Sequence, residues 1–187
     1  MSIHAEHPFL PPEGERDPLR RLRGRVPAGV SVWTTADGNR RAGWTVSSFL
    51  LADGNPAELL GLVDEEADLA DLLEGSATVV VNLLGWEQRF LADAFAGLAP
   101  APGGPFRLAT WTDSAWGPAL DGAVGWVGAR ITTPLGEHAG WGLLVRATVE
   151  HVELAAPEAP VLSSFRGRYR PVEVDPGLSA PPTSLRP

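Results

Sequence analysis

Between residues 28 and 154 the chain reads as short apolar runs cut by turn residues, the pattern of strands rather than of long helices. AGVSVWTTA (28–36) carries the β-branched and aromatic side chains that suit a pleated, half-buried surface. The turn DGN (37–39) separates it from AGWTVSSFLLA (42–52), and the pair predicts a hairpin. Further strands are predicted at AELLGLV (57–63), ATVVVNLL (77–84), GAVGWVGARITTPL (122–135) and GWGLLVRATVEHVEL (140–154).

The helical pattern is brief. EEADLADLLEG (65–75) opens on acids, spaces Leu69, Leu72 and Leu73 along one face and ends at Gly75. WEQRFLADAFAG (86–97) predicts a second amphipathic helix ending at Gly97, and DPLRRLRGRV (17–26) a shorter one with Asp17 as N-cap and Pro18 at its first position. Strands outnumber helices and do not alternate with them, which argues against a doubly wound fold. The expectation is a mainly β protein, a six-stranded antiparallel barrel with two or three short helices. Residues 16–170 form one domain, flanked by a flexible tail at 1–15 and a Pro-rich one at 171–187.

Composition narrows the chemistry. The chain has 187 residues, no cysteine and no lysine, since all 15 basic residues are arginine. That removes disulfides, thiolate metal sites, Cys nucleophiles and lysine Schiff bases together. The net charge of -8 disfavours a nonspecific grip on nucleic acid. No apolar run approaches the roughly 20 residues that cross a bilayer, and the N-terminus lacks a signal-peptide pattern, so a soluble, cytoplasmic protein is expected. His4, His7, His138 and His151 are scattered without metal-ligand spacing, so no metal site is expected. Seven tryptophans suit a core or a dimer interface.

Four blocks, in order, then stand out: VPAGVSVWTT (26–35) with AGWTVSSFLLAD (42–53), VVVNLLGWEQRFLADAFAG (79–97), GAVGWVGARI (122–131) and SFRGRYR (164–170). Together they resemble the flavin-reductase-like, FMN-binding split-barrel family across roughly residues 18–170. The resemblance implies a split barrel of Greek-key type, a homodimer, and bound FMN, with FAD as the alternative. It implies NAD(P)H as cosubstrate and a monooxygenase component as a possible recipient of reduced flavin. It places Trp44, Thr45, Val46, Ser47 and Ser48 in the strand lining the flavin pocket. Trp44 stands where the family often has Met or Leu, and packs on the ring or only in the core. Hydroxyls suit such a site because they donate hydrogen bonds without burying charge. Phe95, Ala96 and Gly97 sit against the cofactor, or serve only as core and C-cap. Arg166 and Arg168 close one side of the flavin or nicotinamide site, or belong to a basic surface strand.

Two departures qualify the resemblance. Where relatives carry phosphate-binding hydroxyls after the third strand, this chain has Glu65, Glu66 and Asp68, which repel phosphate unless they merely face solvent at a helix start. Where relatives carry a His at the opening of the last long strand, this chain has Trp141, with His138 three residues earlier. Two functions follow: an NAD(P)H:flavin oxidoreductase that needs no protein nucleophile, because the flavin ring accepts the hydride, or a flavin carrier with little turnover.

Overall fold

The structure, a computed structural model, describes residues 17–132, 134–155 and 160–173. Helices α1 (Pro18–Arg23), α2 (Asp68–Ser76) and α3 (Arg89–Phe95) are short. The strands are β1 (Ala28–Gly29), β2 (Ser31–Asp37), β3 (Arg40–Val46), β4 (Phe49–Ala52), β5 (Glu58–Val63), β6 (Thr78–Leu83) and β7 (Trp111–Ser114). They continue with β8 (Gly117–Leu120), β9 (Gly125–Ile131), β10 (His138–Ala139), β11 (Gly142–Leu154), β12 (Val161–Phe165) and β13 (Arg168–Val172).

The main sheet runs β3-β2-β6-β9-β11-β5-β4, all neighbours antiparallel, with the short β10 added beside β11. The expected six strands are thus corrected to seven on the main path. The stretch 42–52 breaks at Ser47 and Ser48 and contributes two strands, β3 and β4, which are the two edges of the sheet. A sheet whose opposite edges are joined by two residues has to curl back on itself. The result is a curled antiparallel half-barrel. Two further hairpins pack outside it: β7–β8, and β12–β13, which pairs with β1. SFRGRYR forms the second of these around the turn Arg166–Gly167, both residues left-handed with φ of 52° and 70°, the geometry that two-residue hairpins favour.

Inside the curl, Trp33, Leu59, Val63, Val79, Val81 and Val145 meet Leu69, Leu72 and Leu73 of α2. Alternation along β5 buries Leu59, Gly61 and Val63 and leaves Leu60 and Leu62 outward. Gly61 is where Trp33 crosses: a Cβ there would lie 2.4 Å from the indole. A second cluster, with Val32, Leu84, Leu91, Phe95, Leu120 and Leu162, fills the space between the sheet, α3 and the outer hairpins. Buried Asn82 ties these layers together: its Nδ2 donates to the Val32 carbonyl at 3.0 Å and its Oδ1 accepts from Leu120 N at 2.7 Å. Helix α2 runs one residue past the expected stop at Gly75, and Ala77 adopts the left-handed cap with φ 55°. Strand β13 continues to Val172, into the stretch expected as tail; residues 1–16 and 174–187 lie outside the described residues.

Candidate functional site

The corner between β3 and β4 is braced from beneath. The Ser31 hydroxyl donates to the Val46 carbonyl at 2.8 Å and accepts from Trp33 Nε1 at 3.1 Å. Val46 is buried by that bracing, and Ser47 and Ser48 emerge exposed immediately after it. Ser48 Oγ donates weakly to the Leu62 carbonyl at 3.3 Å, and Leu62 N donates to the Ser48 carbonyl at 2.9 Å, so the corner is stitched to the end of β5. Both hydroxyls retain acceptor capacity toward solvent.

Helix α3 draws three of the four sequence blocks together. Thr45 Oγ1 on β3 donates to the Ala92 carbonyl at 2.7 Å. Tyr169 on β13 is hydrogen-bonded to Asp93, and burial, then the Asp93 charge, push its phenol well above the ordinary tyrosine range. Phe95 is buried against Phe106 and Trp111, edge to face at centroid distances of 5.0 and 5.6 Å. It also lies over Gly43, where a Cβ would come within 2.7 Å of its ring. Of the alternatives for this segment, the core reading describes Phe95. Ala96 ends the helix and Gly97 follows with φ 68°, its N–H donating to the Ala94 carbonyl.

The hairpin β10–β11 reaches the same corner from the other side. Gly142 faces Leu62, where a Cβ would approach within 2.9 Å, and His138 Nε2 meets Glu65 at 3.0 Å. This hydrogen bond ties the hairpin to the turn after β5. Asp64, Glu65, Glu66 and Asp68 are all exposed there; the Asp64 carboxylate accepts from Glu66 N at 3.0 Å, and Asp68 starts α2. Trp141 at the hairpin tip is fully exposed, unlike Trp33, which is fully buried. Trp44 is half-buried and packs against the inner core.

The expected site residues therefore divide. Ser47 and Ser48 present exposed hydroxyls, that of Ser48 weakly bonded to Leu62, whereas Thr45, Val46 and Phe95 hold the corner and α3 in place. Arg166 and Arg168 are exposed on the β12–β13 hairpin, with the Arg166 guanidinium 5.5 Å from the Phe165 ring. Reading the sequence missed the bracing role of Ser31 and the attachment of Tyr169 to Asp93. Ser31 acts across the β2–β3 pair, and Tyr169 reaches α3 from the far end of the chain.

The family model for the flavin reductase like domain matches residues 23–173. The chain belongs to that family. It is 31% identical over 125 residues to the FMN reductase (NADH) RutF of Serratia proteamaculans, covering 66% of this chain and 71% of the relative. It is 24% identical over 165 residues to the 4-hydroxyphenylacetate 3-monooxygenase reductase component of Salmonella typhimurium, covering 83% and 94%. Among solved structures, the NADH:FAD oxidoreductase SgcE6 of Streptomyces globisporus, in complex with NAD and FAD fragments, superposes with a TM-score of 0.75 at 26% identity, covering 91% of this chain and 99% of that one. A flavin fits the corner in one respect and not in another. Uncharged hydroxyls at Ser47 and Ser48 suit its ring and ribityl hydroxyls. The four exposed carboxylates beyond β5 do not suit its phosphate.

Proposed function

We propose that this chain is an NAD(P)H-dependent flavin reductase that uses FMN, works as a homodimer in the cytoplasm and hands reduced flavin to an oxygenase component. The observation that carries this reading is the family match across 23–173, with three of the matched motifs gathered on α3 beside an exposed hydroxyl corner. The flavin supplies the hydride acceptor. The chain's own residues then have to bind and orient. Ser47 donates to the flavin, Ser48, whose proton goes to the Leu62 carbonyl, accepts from it, Ser31 and Thr45 keep their strand in register, and Arg166 and Arg168 flank the entry. The oxygenase step rests on relatives such as the 4-hydroxyphenylacetate 3-monooxygenase reductase component.

The dimer reading rests on the outer face of β4, β5 and β11. Leu50 stands opposite Leu60, and Leu62 opposite Leu144, so four leucines form one outward patch, with Leu50 60% exposed. The Arg146–Glu58 ion pair at 2.7 Å borders it, giving an apolar centre and a charged rim. A second copy covers such a patch symmetrically.

Purified protein assayed with NADH or NADPH against FMN, FAD and riboflavin tests the activity directly. Turnover with FMN well above the uncatalysed rate is expected. Tight flavin binding without turnover would favour the carrier reading instead, which draws on the acidic turn after β5 and on His138 being engaged by Glu65.

A further inference from the structure

Leu135 packs on the inner core, and residues 136–141 after it are all exposed. Strand β10 lies off the main path of the sheet and pairs with β11, His138 against Leu143 and Ala139 against Gly142. Gly136 and Gly140 flank it at positive φ, 133° and 66°, with open space where a Cβ would stand. Among the described residues, one side-chain bond ties this arm to the rest of the protein, from His138 Nε2 to Glu65 at 3.0 Å. An element so lightly attached opens at low cost, and its docking is sensitive to a single charge. Glu65 stands in a run of exposed acids, Asp64, Glu65, Glu66 and Asp68, with Asp71 further along α2. None of these is ion-paired with an arginine among the described residues, whereas Glu58, Glu87, Asp113 and Glu150 each are.

On the hairpin itself the other titratable group is Glu137, and Arg146, further along β11, is taken by Glu58 at 2.7 Å. With His138 neutral, the hairpin carries the Glu137 charge alone and faces charges of the same sign across the gap. With His138 protonated, the hairpin's net charge vanishes and the bond to Glu65 becomes an ion pair. Histidine is the side chain that ordinarily changes charge between about pH 5 and 8. We propose that this hairpin is a pH-sensitive strap, docked on the acidic turn when His138 is protonated and freed when it is neutral. The strap lies at the rim of the Ser47–Ser48 corner: Gly142 packs against Leu62, whose carbonyl accepts the Ser48 hydroxyl. Where that corner is the flavin site, a reading on which this consequence alone rests, docking slows ligand release and freeing speeds it. Trp141, fully exposed at the tip, travels with the strap.

The chain has no cysteine, so a nitroxide attached to Trp141→Cys reports the strap tip alone. Its mobility, read by electron spin resonance on the full chain, is expected to rise between about pH 5 and 8. The docked-to-free ratio falls about two- to fivefold over that range, the scale of an exposed ion pair. Added to the labelled chain, His138→Gln is expected to keep the tip mobile at every pH and His138→Arg to keep it restrained. Glu65→Gln shrinks the change, and His151→Gln leaves it as it was. Mobility independent of pH in the folded labelled chain, or a transition that survives His138→Gln, would overturn the strap. Release of riboflavin, which has no phosphate to titrate, is followed by fluorescence on the unlabelled chain at both ends of the range. It is expected to be about two- to fivefold faster at the alkaline end for wild type, and the same at both ends for His138→Arg. Equal wild-type rates beside a responsive label would overturn the gating of the corner. A chain that binds no riboflavin would overturn the flavin reading, while the label still decides the strap.

Discussion

Thr45 Oγ1 and the Ala92 carbonyl meet at 2.7 Å, a side chain of an edge strand holding the middle of α3. The bond couples the strand expected to line the cofactor to the helix that carries Phe95. The Ala92 carbonyl also accepts from Ala96 N at 3.1 Å, so removing the hydroxyl does not strand it. Thr45→Val is therefore expected to cost about 1 kcal/mol. For a chain of this size that lowers Tm by about 2–4 °C, measurable by calorimetry.

Tyr169 is the single tyrosine of the chain, so its ionisation is spectroscopically isolated. Burial and Asp93 raise its pKa, which favours the protonated phenol in the folded state. The stability this contributes is complete below the ordinary tyrosine value of about 10 and is lost as pH climbs above it. Phenolate absorbance is expected to stay silent past that value until the fold gives way. Tyr169→Phe should flatten the alkaline limb of the stability profile, at a cost at neutral pH of about 1–2 kcal/mol.

Two glycines with equally close neighbours should respond differently to a methyl group. A Cβ at Gly61 would meet Trp33 at 2.4 Å, and one at Gly128 would meet Trp116 at the same distance. Trp33 is fully buried and tethered through Nε1 to Ser31, so it has nowhere to move. Trp116 sits half-buried in the β7–β8 turn, held at the surface by its Nε1 bond to Glu150 and its stack on His151, so it yields more readily than a core indole. Gly61→Ala is expected to cost about 3 kcal/mol and Gly128→Ala about 1 kcal/mol, read from denaturation midpoints.

Replacing Leu50 and Leu144 with glutamate puts two charges on the outward leucine patch without touching the inner core. Light scattering at micromolar concentration is expected to show a dimer for wild type and a monomer for the double variant, both folded by circular dichroism. A wild-type monomer would remove the proposed interface.

Ser47→Ala with Ser48→Ala is expected to weaken flavin binding by about 1–3 kcal/mol while the fold persists. Glu66→Ser with Asp68→Thr, aimed at carboxylates that face solvent, should shift FMN and riboflavin alike by less than about twofold. A selective gain for FMN in that variant would place its phosphate near the acidic turn. Titrations of both ligands against both variants separate the cases.

Most of the architecture was legible in periodicity. The apolar runs AELLGLV and ATVVVNLL marked β5 and β6: β5 turns one face to the core, and β6 is buried on both faces. The β3–β4 break was not legible: TVSSFLL continues the same strand-like composition, and only the chain's return to the far edge of the sheet forces the corner. The hairpin at 111–120 was missed because WTDSAWGPAL mixes polar and apolar residues without regular alternation. What seats β8 is its bond to Asn82, 38 residues earlier. Among the expected site residues, TVSS was picked out by the company of the other blocks, but that the Thr45 hydroxyl turns toward α3 was invisible from β3 alone. The arginines of α1 and of SFRGRYR look like two ordinary basic stretches until Arg166 N and the Gly24 carbonyl join them.

The corner at Ser47–Ser48 also bears on how the chain avoids sticking to its neighbours. The rim strands of an unclosed sheet offer unpaired backbone groups onto which a foreign strand adds, the first step toward aggregates. Here both rims, β3 and β4, diverge from a single bend. A recruited strand would have to enter that narrow angle, where α3 and Leu62 already take up backbone and side-chain bonds. The bend proposed to seat a small ligand thus leaves little room for a polymer.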